Sequence, residues 1–396
     1  MKAAIAAAVL LAAAATAWAQ DQQLGARTKA MGGSYTAFED DPVSVWLNPA
    51  GIATQTDQMS VAYQTYTAYP RGRERGPGDT IVFTVEPETV MSEPALLPSF
   101  IGFVFALGTP ESPMAVGICY AQPYLLNYAM DQVTDPNQTT FQPEAEVEQS
   151  FSRFRVAFAK DFFFKERGQT GFFTHLSVGL GLDVGVEKWD FSGPGEETRD
   201  TTTGFGGGFG LLLGIYDNTD DFKVNFGVAY QSALHYNFEF ETDILPAFDM
   251  PQQLNVGMTF YLFKGTPLRM TADLQWIDWS ATAEDPLFGQ FESFEDALNY
   301  SVGFEYRMKV PGSDKVSFSP RAGYRRFDAP WSDPDNLPMT GAYRLVLDTK
   351  AEAFNIFTFG FGVGWSSEAG KSRSVDLAAD VGGDAFNVAI GLTFEF

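Results

Sequence analysis

The sequence is short of cysteine, histidine, basic residues and long apolar runs. Cys119 is the one cysteine in 396 residues, so no disulfide can close within the chain. With only two histidines, His175 and His235, there is no basis for a His-rich metal site, and neither a metal nor a cofactor is expected. Twenty-six Lys and Arg stand against 50 Asp and Glu, a net charge of −24. That balance excludes a nucleic-acid partner, which needs a basic face, and a polybasic membrane anchor. Gly-x-Ser-x-Gly and Gly-rich phosphate loops are missing, so an enzyme is not expected. After the N-terminus no stretch of about 20 uninterrupted apolar residues occurs, which rules out helical spans. The most apolar later run, 95–107, is broken by Pro98 and Ser99.

What the chain has instead is aromatic residues and glycine. It carries 37 Phe, 15 Tyr and 38 Gly with only 19% charged residues, a β-rich composition. Residues 1–19, MKAAIAAAVLLAAAATAWA, read as a secretory signal peptide. Lys2 precedes an Ala-rich apolar run, and Ala17-Trp18-Ala19 is a small-x-small cleavage site. Removing Lys2 takes the mature charge from −24 to −25.

Strict alternation then recurs. Leu176, Val178, Leu180, Leu182, Val184 and Val186 share one parity, against Ser177, Gly179, Gly181, Asp183, Gly185 and Glu187. The same holds over 222–230, 254–262, 268–276, 298–308, 316–324, 355–365 and 387–396. Charges fall almost wholly on the small-residue parity. A soluble sandwich would instead show a Lys- and Glu-rich outer face. In a membrane barrel a lipid-facing Arg or Lys at mid-bilayer costs roughly 2–4 kcal/mol, so the charged parity must face the lumen. We therefore expect an all-β fold, a transmembrane antiparallel β-barrel of about fourteen strands over 58–396. The expected spans leave mostly long connections at one end and short turns at the other. The long ones include 129–148, 190–202 and 237–251, one strand is expected over 221–236, and His175 and His235 both take the lumen parity of their strands. The lumen charges Arg153, Arg155, Arg269, Arg307, Arg321 and Arg325 should pair with Asp183, Glu187, Asp273, Glu305, Asp376 and Asp380.

Residues 20–57 do not alternate. Phe38, Val43, Val45, Trp46, Leu47 and Ile52 are too apolar to dangle in water, and a barrel of this size leaves an interior to fill. We expect this segment inside the lumen as a hatch.

The segment GARTKAMGGSYTAFEDDPVSVWLNPAGIA resembles the N-terminal hatch of the long-chain fatty acid transporter family of outer-membrane proteins (the FadL/TodX group). The matching residues are Gly25-Ala26, Met31-Gly32-Gly33, Asp40-Asp41 and Asn48-Pro49-Ala50-Gly51. DLQWIDWS with Asp278, Trp279 and Ser280, MPQQLNVGMTF with Pro251, Leu254 and Gly257, and GYRRFDAP are similar to later family motifs. The hatch motif is shared with a sister group, the PorV-type component of protein secretion, which stays as the alternative.

The resemblance implies a monomeric outer-membrane barrel among lipid and lipopolysaccharide. It would pass long-chain fatty acids or hydrocarbons by passive diffusion, with a sideways exit at a kinked third strand. Asn48, Pro49, Ala50 and Gly51 would latch the hatch. Pro123 is the candidate kink, because Pro cannot donate to a ladder. Apolar residues of two outer loops form the candidate ligand groove: Ile244, Leu245 and Phe248, with Leu287, Phe288, Phe291 and Phe294. Arg27 and Lys29 are candidate contacts for a substrate carboxylate. The terminal Phe396 resembles the signal read by the barrel assembly machinery.

Overall fold

The computed structural model describes residues 23–67, 72–75, 81–87, 89–91, 98–132, 145–165, 169–193, 196–218, 221–236, 249–262, 268–283, 295–328, 337–338, 344–347, 353–367, 370–382 and 385–396. Fourteen antiparallel strands form a closed ring. They are β1 (Gln58–Thr67), β2 (Phe100–Ala106), β3 (Met114–Gln132), β4 (Ala145–Phe163), β5 (His175–Gly193), β6 (Glu196–Asn218) and β7 (Phe222–Gln231), followed by β8 (Gln253–Leu262), β9 (Leu268–Ile277), β10 (Ala297–Tyr306), β11 (Val316–Asp328), β12 (Ala353–Ser366), β13 (Ser372–Gly382) and β14 (Ala385–Glu395). Each strand pairs with the next, and β1 closes the ring on β14 from Gln58↔Glu395 to Gln64↔Ala389. Where all fourteen strands overlap, closure leaves no unpaired sheet edge, which a membrane requires. This is the barrel that alternation predicts. Among the described residues no helix is long and apolar enough to cross a membrane.

Side-chain parity does the sorting. On β5, Leu180, Leu182 and Val184 point outward and are 59%, 77% and 40% exposed, while Asp183 and Glu187 are buried inside. Phe154, Val156 and Phe158 on β4 and Phe357, Phe359 and Phe361 on β12 continue the apolar outer belt. A water-soluble protein would not tolerate that continuous surface, whereas lipid favours it.

The wall is uneven in height. β7 to β10 are 10 residues each, but β3, β4 and β5 have 19 and β6 has 23. At about 3.3 Å per residue the tall strands run to roughly 60–75 Å. The expected long connection 190–202 is therefore corrected. β5 continues to Gly193 and β6 starts at Glu196, paired Gly193↔Glu196. The Thr-rich run 201–203 supports extended backbone as well as it supports a loop, and sequence alone did not separate the two. A second correction concerns 221–236, read as one strand. β7 ends at Gln231, and 232–236 turns away.

The space inside the ring is filled by the N-terminal segment. It holds two short helices, α1 (Ala26–Ala30) and α2 (Ser44–Leu47), and a 3₁₀ turn over Pro49–Ile52. Phe38, Val45 and Ile52 are fully buried and Trp46 is 1% exposed. Val43, Val45, Trp46 and Ile52 pack with Phe100, Val104 and Ala157 of the wall.

Candidate functional site

The N-terminal segment is fastened to the wall around most of the ring. Its first half is cationic and its second half anionic, and the wall offers the opposite sign to each. Lys29 Nζ donates to Asp380 Oδ2 on β13 at 2.7 Å, with both side chains almost fully buried. Arg27 donates to Glu305 on β10 at 2.9 and 3.0 Å and to Asp40 of its own segment at 3.1 Å. Asp40 also takes Arg269 of β9 at 2.5 Å, and Glu39 meets Lys223 of β7. Glu305 accepts Arg321 at 2.7 Å, and Arg321 reaches Asp376 at 2.6 Å. Buried charges are tolerated only when paired this completely. Burial alone would raise the Asp40 carboxyl, but Arg269 and Arg27 outweigh it and hold it below the usual carboxylate range. Asp41 has weaker cationic company, and burial pushes it up to about 6. Its Oδ1 accepts from Val43 N at 3.0 Å and its Oδ2 from Tyr35 Oη at 3.1 Å, so it caps the turn that opens α2.

Hydrogen bonds to uncharged groups of the segment complete the fastening. Asp273 Oδ2 on β9 accepts three bonds, from Tyr35 N at 2.7 Å and from Thr36 N and Oγ1 at 2.8 Å. Arg155 on β4 donates to Trp46 O at 2.6 Å while gripping Asp183 at 2.6 and 2.8 Å, and Gln231 donates to the same Trp46 carbonyl at 2.9 Å.

Asn48-Pro49-Ala50-Gly51 sits on the wall of β5 and β6. Asn48 Nδ2 donates to Thr36 O at 2.7 Å and to Leu211 O of β6 at 3.1 Å, and Asn48 Oδ1 accepts from Ala50 N at 3.1 Å. Gly179 and Gly210 are register partners directly beneath. A Cβ at Gly210 would strike Asn48 Oδ1 and Ala50 N, and one at Gly179 would strike the Pro49 and Ala50 backbone. The two glycines leave a seat for the turn. Only the three-dimensional pairing of Gly179 with Gly210 marks them, because each strand is glycine-rich throughout.

Pro123 lies in a bulge of β3. The register with β4 runs from Met114↔Lys160 to Ala121↔Arg153 and resumes at Tyr124↔Phe151, one extra residue on β3. On its other side β3 follows β2 to Ala121, with Gln122 N donating to Ser99 O at 2.8 Å. Proline removes the donor that regular pairing would need, which explains where the ladder slips.

Beside the bulge, inside the ring, is a buried apolar cluster of Tyr124, Phe151, Leu234, Tyr236 and Met250. Tyr124 and Phe151 meet edge-on at 5.6 Å, and Phe151 and Tyr236 at 5.9 Å. Leu234 and Tyr236 lie over Gly185, Gly204 and Gly206, where a side chain would block them. Sequence reasoning missed this cluster, because Leu234 and Tyr236 belong to the segment misread as the end of β7.

Several sequence expectations fall elsewhere. His175 is buried and lies 3.1 Å from Asp161 Oδ1, which also accepts from Ser177 Oγ at 2.7 Å. His235, expected on a lumen parity, is instead outside β7 with its side chain 76% exposed against Asp249. Its strand had already ended, so strand parity no longer governs it. Ile244, Leu245, Phe248, Leu287, Phe288, Phe291 and Phe294 lie outside the described residues, as does the signal peptide. Among the described residues no cluster of three His, Cys, Asp or Glu could hold a metal ion.

No protein-family model matches this chain, and no curated protein does. Solved structures do. The Ralstonia pickettii toluene transporter TbuX is 16% identical over 95% of this chain and 99% of its own, with a TM-score of 0.57. The chain has the FadL-type barrel fold. A Pseudomonas putida structure of the toluene transporter TodX is 11% identical, covering 95% of this chain and 99% of that one, TM-score 0.56. A Pseudomonas aeruginosa FadL homologue is 12% identical, covering 94% and 98%, TM-score 0.55. At such identities these structures speak for the fold.

Proposed function

We propose that this protein is an outer-membrane channel that admits hydrophobic compounds, fatty acids or hydrocarbons, by passive diffusion, and that it is not an enzyme. The signal peptide exports it and Phe396 directs its assembly. The observation that carries the reading is the β3 bulge at Pro123 beside the buried apolar cluster, in a barrel whose axis is filled. An apolar molecule entering from the side of the long connections finds Tyr124, Phe151 and Tyr236 at the wall. It finds a densely charged, bonded segment on the axis. The irregular wall is then the cheaper way out, and the exit is lateral. Residues 20–57 act as a stationary hatch latched by Asn48, Pro49, Ala50 and Gly51. Arg27 and Lys29 serve this lock, since each already holds a buried carboxylate of the chain. The outer-loop residues Ile244, Leu245, Phe248, Leu287, Phe288, Phe291 and Phe294 form the apolar landing groove.

The test is uptake of radiolabelled toluene and oleate by cells that lack their own carriers and express this chain. Uptake above the empty vector is expected. Deleting Pro123 removes the extra residue and should abolish uptake in a barrel that still shows heat-modifiable migration. A folded wild-type barrel that takes up neither compound overturns the reading, and unchanged uptake after the deletion removes the lateral exit.

A further inference from the structure

Across the lumen from the β3 bulge, on β8 to β11, the wall is polar instead of apolar. Side-chain amides join into a ladder there. Gln275 Nε2 donates to Gln253 Oε1 at 3.1 Å, Asn299 Nδ2 donates to Gln275 Oε1 at 3.1 Å, and Asn299 Oδ1 accepts from Asp328 N at 2.8 Å. The ladder borders a cavity of about 60 Å³ between this wall and the N-terminal segment. Asn255 opens into it. That residue is 7% exposed, and among the described residues its side chain has no hydrogen bond. Leu47 and Phe327 give the cavity an apolar margin.

An amide that faces open space with no partner in the chain can bond a water or a polar group of a ligand there. The cavity holds several waters' worth of space, since one water needs roughly 10–15 Å³ by this measure. It is too small for a whole hydrocarbon and large enough for one polar group and the carbon that bears it. Asp273, Arg325 and Arg326 border it, and both arginines already face a carboxylate of the chain, Arg325 with Asp380 at 4.0 Å and Arg326 with Asp328 at 3.1 Å. The site therefore has no net pull on an anion. Amides offer a donor and an acceptor together, which suits a hydroxyl.

We propose that this cavity is a subsite for a neutral hydroxyl group on an otherwise apolar ligand, with Asn255 as its main hydrogen-bonding partner. The ligand's apolar body would extend past Leu47 into the lumen. The assignment rests on the transport reading above and narrows its cargo to amphipathic alcohols or phenols.

Calorimetric titration of the detergent-solubilised full-length protein with p-cresol, toluene and benzoate tests it. Cresol should bind roughly five- to tenfold tighter than toluene, the worth of one well-made buried hydrogen bond, and tighter than benzoate. Asn255→Leu keeps the volume and should erase the cresol advantage while leaving toluene unchanged. Asn255→Ser should restore part of it. Equal binding of cresol and toluene by the wild type overturns the subsite, as does benzoate binding tightest, binding of no probe, or an equal loss for cresol and toluene in Asn255→Leu. The wild-type comparison decides even where a variant does not fold. Toluene uptake without a cresol preference sinks the subsite and leaves transport standing. An Asn255-dependent cresol preference without uptake of any probe keeps the subsite and sinks transport.

Discussion

Replacing Gly179 and Gly210 by alanine perturbs the seat of the N-terminal segment and spares the wall beneath it. Both glycines have ordinary strand backbone, so alanine is compatible with the wall itself. The conflict is with the turn above. A methyl group at either position overlaps backbone atoms of Pro49 and Ala50 or the Asn48 side chain, and backbone cannot rotate away as a side-chain tip can. Overpacking of this kind costs about 1–3 kcal/mol. The two sites share one seat, so the double variant should cost less than twice the single. Since each 1.4 kcal/mol or so is a factor of ten, the unseated population should rise roughly five- to 150-fold per substitution. Unseating also loses the Asn48–Leu211 bond. The assay is hydrogen exchange at residues 48–51 together with single-channel conductance in planar bilayers. Exchange should accelerate and opening events should become frequent, while heat-modifiable migration stays that of a folded barrel. Gly391→Ala is the control, because its methyl would meet Ala26 at an ordinary 3.4 Å and should change neither readout. A folded Gly179→Ala/Gly210→Ala barrel with unchanged exchange and conductance would refute the seat.

Other outcomes follow from the same geometry. Asp41 has its carboxyl raised by burial to about 6, against an unfolded value near 3.8. The folded N-terminal segment therefore binds the proton more tightly than the unfolded chain does, and this group's contribution to stability grows as pH falls from above 6 towards 4. Protection at residues 35–47, taken relative to the intrinsic exchange rate at each pH, should rise between pH 7 and pH 5, and Asp41→Asn should show the higher protection already at pH 7. Faster exchange in Asp41→Asn at pH 7 would be inconsistent with this. Lys29→Met removes the closest cation from buried Asp380, leaving it Arg325 at 4.0 Å and the Asn387 amide at 3.1 Å, and should destabilise the N-terminal segment by up to about 3 kcal/mol, read as accelerated exchange over α1. The double variant Lys29→Met/Asp380→Asn should recover much of that loss, and no recovery would argue against the pair. Leu182→Arg, on the lipid face, should cost roughly 2–4 kcal/mol of barrel stability in a urea-dependent migration assay, whereas no shift would place Leu182 away from mid-bilayer.

Period-2 alternation determined this barrel from the sequence alone. With one face in lipid and one in the lumen, most large apolar residues take one parity and most charges the other. Leu180, Leu182, Asp183 and Glu187 show that rule holding over successive turns of pleat. The apolar residues of the N-terminal segment likewise announced burial, because Trp46 and Phe38 had nowhere else to hide from water. Alternation carries no information on where a strand stops once it leaves the membrane. The ends of β5, β6 and β7 were therefore decided by tertiary pairing, and with them the place of His235. Partner choice was also beyond the sequence. Arg27, Arg269 and Arg321 all converge on Glu305 only because barrel closure and the N-terminal segment bring distant stretches to one point. Gly179 and Gly210 become a seat only through their shared register. The Pro123 bulge and the open amide of Asn255 acquire meaning only from what lies across the lumen. Parity is local and can be read along a chain, whereas which side chains meet inside a closed ring depends on closing it.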